Sequence, residues 1–204
     1  FGFYKESHLY PSIVQHLTRY EEQLKNRGQC KYNRQNKVNI NKDYTGQHHW
    51  LELDNNPNEI YLKEFEKEKV VWNRIANKVI FSYVTDKFFV LDSTFFIVGE
   101  KIKFLTAVLN SKIALYWMKS SLATLGEGMY GAKIYVEKLP VPPITPSNQH
   151  IVSQIESLVD KILDAKKTNH AADTTQWEKE IDQLVYKLYE LTDEEIRIIE
   201  NGSI

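Results

Sequence analysis

Positive charge and amide groups are concentrated in one stretch of the chain, residues 25–42. The stretch has no acidic residue and carries the cations Lys25, Arg27, Lys31, Arg34, Lys37 and Lys42, interleaved with the amides Asn26, Gln29, Asn33, Gln35, Asn36, Asn39 and Asn41. Lysine and arginine pair with phosphate oxygens, and the counterions released give affinity without sequence preference. An amide can form two hydrogen bonds with an adenine edge, and arginine can do so with guanine. The stretch is chemically suited to reading duplex DNA; a solvated surface loop is the alternative.

Two further segments carry groups that can reach a nucleic acid. Arg74 lies between two predicted strands, where a loop could enter a groove. The segment Thr124–Lys133 holds three glycines, which allow close backbone approach, together with Tyr130 and Lys133, which could touch sugar and phosphate. An ordinary flexible connection is the alternative for this second segment.

The sequence contains no recognisable catalytic, cofactor-binding or metal-binding motif. His48 and His49 are adjacent, and neighbours on a strand point to opposite faces, so they rarely bind one ion together. Asn56-Pro57 is followed by Asn58 and Glu59 instead of the proline and aromatic residue of an amino-methyltransferase. There is no glycine-rich cofactor fingerprint, no P-loop and no Pro-Asp dipeptide of a nuclease site. We therefore predict no catalytic residue, metal or cofactor within this chain.

Size and composition are those of an ordinary globular protein. The 204 residues are 42% hydrophobic and 26% charged, with a formal net charge of −1, so any nucleic-acid binding must come from local charge. The single cysteine, Cys30, excludes an internal disulfide and favours a reducing, cytoplasmic location. No apolar run is long enough to span a membrane. The opening Phe-Gly-Phe-Tyr-Lys is typical of mid-protein sequence, from which we expect a fragment of a longer chain.

The elements that must position these groups are predicted from hydrophobic spacing. A helix begins near Pro11-Ser12 and Gly28 ends it. Runs rich in Val, Ile, Phe and Tyr predict strands at Lys69–Trp72, Lys78–Val84, Lys87–Val98 and Lys133–Val136, with a hairpin connection at Thr85-Asp86-Lys87. Spacing of three and four predicts a helix around Phe104–Leu109, and Asn110-Ser111 caps a second short helix.

The region after Pro140, Pro142, Pro143 and Pro146 is predicted to be helical. One apolar stripe runs from Ile151 to Leu163 behind a cap at Ser147, and a second runs from Ile181 to Leu191 behind a Thr175–Glu178 capping box. Thr192 and Glu195 form another capping box for a helix over Asp193–Glu200. Two stripes of matching length joined by a short loop should pack as an antiparallel pair.

Three motifs, in their order and spacing, resemble a known family. They are Phe65-Glu66-Lys67-Glu68-Lys69-Val70-Val71-Trp72, Val108-Leu109-Asn110-Ser111 and Leu139-Pro140-Val141-Pro142. The stretch from Tyr10-Pro11 to Arg27 and His49-Trp50 also look like the family's opening. The chain resembles the TaqI-like C-terminal specificity domain, the target-recognition part of adenine-specific DNA methyltransferases and of fused type IIG restriction-modification enzymes. It is also similar to half of a type I specificity subunit.

The resemblance implies sequence-specific binding of double-stranded DNA. Phosphates would be held by Lys25, Arg27, Lys31, Lys37 and Lys42, base edges by Asn33, Arg34, Asn36 and Arg74, and sugar-phosphate by Tyr130 and Lys133. It further implies a methyltransferase catalytic domain, in the same parent chain or a partner subunit, that takes a flipped adenine and S-adenosylmethionine, with Mg²⁺ if the parent also cleaves DNA.

We expect an α+β fold: a β-rich recognition domain over residues 1–143, then a helical spacer or docking module over 144–204. The alternative is an interaction module whose C-terminal helices dock a partner subunit without touching DNA.

Overall fold

A computed structural model describes residues 3–31, 44, 46–52, 58–76, 79–121, 124–125, 128–130 and 133–202. The fold is α+β, as predicted: small antiparallel sheets are combined with helices that dominate the C-terminal part. The chain divides into two compact units, Phe1–Lys63 and Glu64–Ile204. The predicted domain boundary after residue 143 stays a prediction.

The first unit consists of short helices. They are α1 (Phe3–Glu6), a 3-10 turn (Ser7–Leu9), α2 (Pro11–Thr18), α3 (Glu21–Lys25), α4 (Gly28–Lys31) and α5 (Glu59–Glu64), the last of which runs into the second unit. The first predicted helix begins at Pro11 as expected but is interrupted at Tyr20, which has the non-helical backbone angles φ −114°, ψ 12°. The prediction that Gly28 ends this helix is wrong, because α3 ends at Lys25 and Gly28 is the first residue of α4. Neither α2 nor α3 contains a buried residue, so no packed face favours one continuous helix.

The second unit opens with a three-stranded antiparallel sheet. Its strands are β1 (Lys69–Asn73), β3 (Ser82–Val84) and β4 (Thr94–Val98), and β1 lies between the other two. Val70 therefore faces Tyr83 on one side and Ile97 on the other. The predicted hairpin at Thr85-Asp86-Lys87 is wrong, because β3 and β4 pair with β1 and not with each other.

The predicted strands Lys78–Val84 and Lys87–Val98 are also too long at their starts. Val79 and Phe81 are buried in the core although they lie outside any strand. Phe88 and Phe89 belong to the segment between β3 and β4, where Phe89 contacts the Phe65 ring at 4.8 Å between ring centroids. Apolar composition marks residues that pack, but ladder hydrogen bonds are what define a strand.

Two consecutive helices cover this sheet, α6 (Ile102–Asn110) and α7 (Lys112–Ser121). Asn110 closes the end of α6 against the chain before β3: its Nδ2 donates to the Phe81 carbonyl at 2.7 Å, and its Oδ1 accepts the Phe81 N–H at 3.1 Å. Ser111 begins α7 as predicted, since its Oγ accepts the Ala114 N–H at 3.4 Å. The Leu109-Asn110-Ser111 motif thus joins the helices to the sheet.

A second small sheet follows, formed by β2 (Ile75–Ala76), β6 (Gly128–Tyr130) and β5 (Thr124–Leu125), with β6 in the middle. The predicted last strand, Lys133–Val136, is wrong: these residues form the one-turn helix α8. Val136, the last residue of α8, and Leu139, in the turn that follows it, both lie in the core of the first sheet, and the Leu139 N–H donates to the Val136 carbonyl at 3.1 Å. A strand would point them the same way only at even spacing.

The C-terminal helices are α9 (Gln149–Thr168), α10 (Thr175–Leu188) and α11 (Asp193–Gly202). Asn148, not Ser147, precedes α9, because Ser147 Oγ bonds to Thr145 Oγ1 instead. The cap of α10 is shifted by one residue: Thr174 Oγ1 bonds to Glu178 Oε1 at 2.6 Å.

The Thr192–Glu195 capping box is confirmed, with the Thr192 N–H donating to Glu195 Oε2 at 2.8 Å. Glu195 in turn gives its N–H to Thr192 Oγ1 at 3.3 Å. The hydrogen bonds that the Glu195 carboxylate accepts from the Thr192 N–H and hydroxyl lower the pKa of Glu195, because they favour its charged form.

Helices α9 and α10 pack against each other and against α6. Their apolar stripes form one cluster with Phe104, Ala107 and Val108 of α6. Val152, Ile155 and Val185 within it are fully buried. The predicted antiparallel pairing follows from the six-residue connection, since two long helices joined so closely can stay in contact only side by side in opposite directions.

A polar cluster ties α7, α10 and α11 together. The Lys112 N–H donates to Asp182 Oδ1 at 2.9 Å, while Lys112 Nζ pairs with Glu200. Tyr186, buried in α10, donates its hydroxyl to Glu200 Oε1 at 3.0 Å. Burial raises the pKa of Asp182 to about 6, and the Lys112 N–H opposes that shift only in part.

We predict that Asp182 makes the protein less stable as the pH rises from about 4 to about 6. A carboxyl group whose folded pKa is raised binds its proton more tightly in the folded state, so ionisation lowers the free energy of unfolding, here by up to about 3 kcal/mol. Asp182→Asn keeps an oxygen for the Lys112 N–H but cannot ionise. Urea unfolding at pH 4 and pH 7.5 should show the variant gaining stability relative to the natural protein at the higher pH; an identical pH dependence of the two proteins would contradict the assignment.

Candidate nucleic-acid interface

Three of the predicted phosphate-binding cations lie on or beside two helices of the first unit. Lys25 is the last residue of α3, Lys31 is the last residue of α4, and Arg27 lies between them. Lys25 is exposed and forms a 2.6 Å ion pair with Glu21, one helical turn earlier. The hydrogen bond to that carboxylate raises the pKa of Lys25. Lys25 is therefore charged at neutral pH and faces solvent.

The Arg27 side chain forms hydrogen bonds to backbone carbonyls within the first unit. Its Nη2 donates to the carbonyls of Trp50 at 2.9 Å and Glu52 at 2.6 Å, and its Nε donates to the Leu24 carbonyl at 3.2 Å. Hydrogen bonds from a charged group to backbone oxygens are among the stronger ones. Arg27 thus fastens residues 50–52 to the α3–α4 turn. Its predicted contact with phosphate stays a prediction.

The chain comes back to α4 at Gly46–His48, which lie beside Gln29 and Cys30. The N–H of Gln47 donates to the Gln29 carbonyl at 2.7 Å, and the His48 ring bonds to Gln29 Oε1 at 2.8 Å. A Cβ on Gly46 would lie 2.3 Å from the carbonyl oxygens of Gln29 and Cys30, so this approach requires glycine. We call Gln29, Cys30 and Gly46–His48 the loop base.

Five predicted DNA-binding residues lie outside the described residues: Asn33, Arg34, Asn36, Lys37 and Lys42. All five belong to the segment between the two sides of the loop base. Their assignment therefore rests on composition and on the position of their attachment.

The histidines near the loop base have partners within the protein. His49 stacks on Tyr4 with 4.5 Å between ring centroids, and its Nδ1 accepts the Leu51 N–H at 3.2 Å. Within the described part of the chain, no group of three or more His, Cys, Asp or Glu side chains could hold a metal ion. His48 and His49 contribute to packing and to the loop base.

In the second unit, two of the other three predicted residues lie in or next to one small sheet, and the third begins a short helix. Arg74 is the residue between β1 and β2, and its N–H donates to the Ser93 carbonyl at 2.8 Å. Its neighbour Ile75 pairs with Tyr130 on β6. Lys133 starts α8 three residues later and forms a 2.9 Å surface pair with Glu137. The pairing of β2 with β6 therefore brings the backbone next to Arg74 to Tyr130, more than fifty positions away in sequence, and no described contact joins Lys133 to them.

A family model describes the same part of the chain. The model of the TaqI-like C-terminal specificity domain matches residues 19–141, which is more than half of the chain. The match runs from α3 through the loop base and both sheets to the proline segment. This chain belongs to that family.

Membership of the TaqI-like C-terminal specificity domain family assigns the chain to DNA recognition in restriction-modification. A comparison with curated protein sequences gives no significant match. None of the helices in the described part is both long and apolar enough to cross a membrane.

Sequence reasoning missed the residues that hold this specificity domain together. The sequence presents Gln29 only as one amide among several, although its carbonyl binds the Gln47 N–H and its side chain binds the His48 ring. Lys69 is fully buried and donates its Nζ to the Asp86 carbonyl at 2.9 Å. A buried lysine inside the family motif has no local sequence signal, because its burial depends on a segment seventeen residues away.

We predict that Gly46→Ala disrupts the loop base and that Gly28→Ala does not. The new Cβ of the first variant would overlap two backbone carbonyls, whereas no atom of the described residues lies within 4 Å of a Cβ added at Gly28. Overpacking should lower the free energy of unfolding of Gly46→Ala by about 1–3 kcal/mol. Gly28→Ala should be neutral or slightly stabilising. Urea unfolding of the two variants measures this, and equal stabilities would show that the close approach is not needed.

Proposed function

We propose that this chain recognises a specific sequence in double-stranded DNA as the C-terminal specificity domain of a restriction-modification enzyme whose catalytic part methylates adenine. The observation that carries the proposal is the family match over residues 19–141. A basic, amide-rich segment without acidic residues lies inside that match, attached at the loop base.

Recognition would combine two kinds of contact. Lys25, Lys31 and Lys37 would hold phosphates, which adds affinity for any sequence. Arg34, with Asn33 and Asn36, would read base edges, and Arg74 would do so from the edge of the second sheet. A rigid attachment favours this division, since a side chain can discriminate between bases only when its backbone is held in register.

The chemistry of methylation is assigned to another domain of the parent enzyme. S-adenosylmethionine, and Mg²⁺ if the parent also cleaves DNA, would bind there. This agrees with the sequence, which has no glycine-rich cofactor fingerprint and no methyltransferase tetrapeptide. The task proposed for this chain is to choose the site and grip the duplex while the catalytic domain acts on a flipped adenine.

The alternative, docking of a partner subunit through the C-terminal helices, stays a prediction. Its basis was the two apolar stripes of α9 and α10, and these stripes are buried against each other and against α6. Over residues 149–191, all of which are described, no large hydrophobic side chain is exposed. We found no observation that favours this alternative over DNA recognition.

The phosphate contacts predict a specific salt dependence. The triple variant Lys25→Gln, Lys31→Gln, Lys37→Gln should weaken binding to all duplexes alike and reduce the slope of log K against log salt by about 2 to 3, since each lost phosphate contact removes about 0.9. Fluorescence anisotropy with a labelled duplex, titrated with salt, measures the slope. The matched control is Lys63→Gln, Lys67→Gln, Lys87→Gln, which removes equal charge from three exposed lysines outside the basic segment. An unchanged slope in the first variant would show that the basic segment does not contact phosphate.

The base contacts predict a different outcome for Arg34→Gln. Loss of an arginine that reads guanine should relax specificity at one base pair, at a cost of about 1–3 kcal/mol for the preferred sequence, with a smaller effect on other sequences. Selection from a randomised duplex library, before and after the substitution, reveals the position. A uniform loss of affinity over the library would instead place Arg34 among the phosphate contacts.

A further inference from the structure

The outer surface of the α9–α10 pair carries positive charge that has no function in the folding of the domain. The two helices form a groove of about 520 Å³, lined on α9 by residues 154, 157, 158 and 161 and on α10 by residues 176, 179, 180, 183, 184 and 187. Its charged members are Lys161, Lys179, Lys187 and Glu180. On a chain with a net charge of −1, three lysines against one carboxylate make a local concentration of positive charge.

Two of the three acidic residues of α9 are paired with lysines outside the groove, and the third, Asp164, does not line it. Glu156 binds Lys101 at 2.9 Å, and Asp160 binds Lys103 at 2.6 Å. Both carboxylates are therefore neutralised by lysines on or next to α6. In the described part of the chain, Lys161 and Lys187 form no salt bridge.

Lys179 also forms no salt bridge in the described part of the chain, although the carboxylates of Asp173 and Glu200 attract its charge at longer range. Of these, Glu200 is paired with Lys112, and Asp173 accepts the Thr175 N–H at 3.0 Å. Glu180, the one acid in the groove, accepts a hydrogen bond from Gln176 at 3.3 Å. The three ammonium groups thus face solvent without a dedicated carboxylate partner.

The other lining groups favour a polyanion over a protein helix. Gln154, Ser157 and Gln183 are exposed hydrogen-bonding groups, whereas Leu158 is only 7% exposed. A docked amphipathic helix needs a long apolar strip to cover, and of the residues that line this groove only Leu158 and Leu184 are apolar. Ammonium groups with interspersed amides and hydroxyls are the groups that bind phosphate oxygens along a nucleic-acid backbone.

We propose that the α9–α10 groove is a second, sequence-independent contact with the phosphate backbone of duplex DNA. This inference rests on the proposed function, because it assigns the occupant of the groove from the DNA recognition of the same chain. Lys161, Lys179 and Lys187 anchor phosphates, and the amides and Ser157 add neutral hydrogen bonds. The helical part then lengthens the duplex contact without contributing to the choice of sequence.

The test is a salt titration of duplex binding by the full 204-residue chain and by a groove variant, Lys161→Gln, Lys179→Gln, Lys187→Gln. All three side chains are exposed and form no salt bridge, so the variant should fold. We expect the slope of log K against log salt to fall by about 2 to 3 and the affinity at 0.1 M salt to fall on the order of 100-fold. The sequence selected from a random library should stay the same. Glu180→Gln removes the one negative charge in the groove, so it should strengthen binding.

The control variant Lys63→Gln, Lys67→Gln, Lys87→Gln separates local contact from net charge, since it removes three charges from exposed lysines that lie outside the groove and pair with no acid of α9 in the described part of the chain. An equal loss of slope in both variants would overturn the groove assignment. An unchanged slope in the groove variant, while the natural chain binds DNA, would also overturn it and leave the proposed function intact. No duplex binding by the natural chain would overturn both.

A carboxylate-rich polypeptide is the other class of polyanion that the lysines could hold. Poly-L-glutamate, titrated against the same two proteins, distinguishes the two classes. If the groove substitutions abolish its binding but leave the DNA slope unchanged, the groove holds an acidic protein chain and the proposal is wrong. A parallel loss in both titrations, with the larger change for the duplex, supports phosphate binding.

Discussion

Helix α6 is the element on which the second unit depends, because it is buried on two sides. Ile102 and Leu109 belong to the hydrophobic cluster under the first sheet, while Phe104, Ala107 and Val108 belong to the cluster formed with α9 and α10. A single nine-residue helix therefore packs against both the sheet and the C-terminal helices, and so fixes where each lies relative to the other. Because close-packed interiors resist displacement, the groups held on either side of α6 keep a fixed geometry.

Around α6, buried polar groups determine which surfaces meet. Asn110 binds the backbone of Phe81 through both its donor and its acceptor, and Asp182 receives the first N–H of α7 from across the core. Such contacts are directional, and a polar group left unpaired in the interior is strongly destabilising. They select one arrangement of helices where apolar packing alone would tolerate several. Arg27 does the same in the first unit through its bonds to Trp50 and Glu52.

Charge is arranged by the same packing. Lysines of α6 and its cap neutralise acids of α9, which leaves the lysines of the α9–α10 groove facing solvent, and the basic segment after α4 has no acids of its own. A nearly neutral protein can thus offer strongly positive surfaces. Local fields of this kind attract a polyanion without making the whole protein bind nucleic acid indiscriminately.

The sequence alone determined the fold class, the family, the central strand β1 and most of the helices, because these depend on local periodicity and on motifs read in order. It also located the cations and amides of residues 25–42. The sequence-based predictions were wrong where contacts with distant residues, and not local composition, set the secondary structure. Lys133–Val136 has strand-like composition, but these residues form a helical turn whose last residue, Val136, is buried in the core.

Only the tertiary structure decided which predicted groups meet. The backbone next to Arg74 meets Tyr130 because β2 pairs with β6, and Arg27 turns to internal carbonyls because the chain returns to α4 at Gly46. Pairings between residues so far apart along the chain leave no periodic signal in the sequence. They arise from the simultaneous requirement to bury apolar surface and to satisfy backbone hydrogen bonds, which is a property of the whole fold.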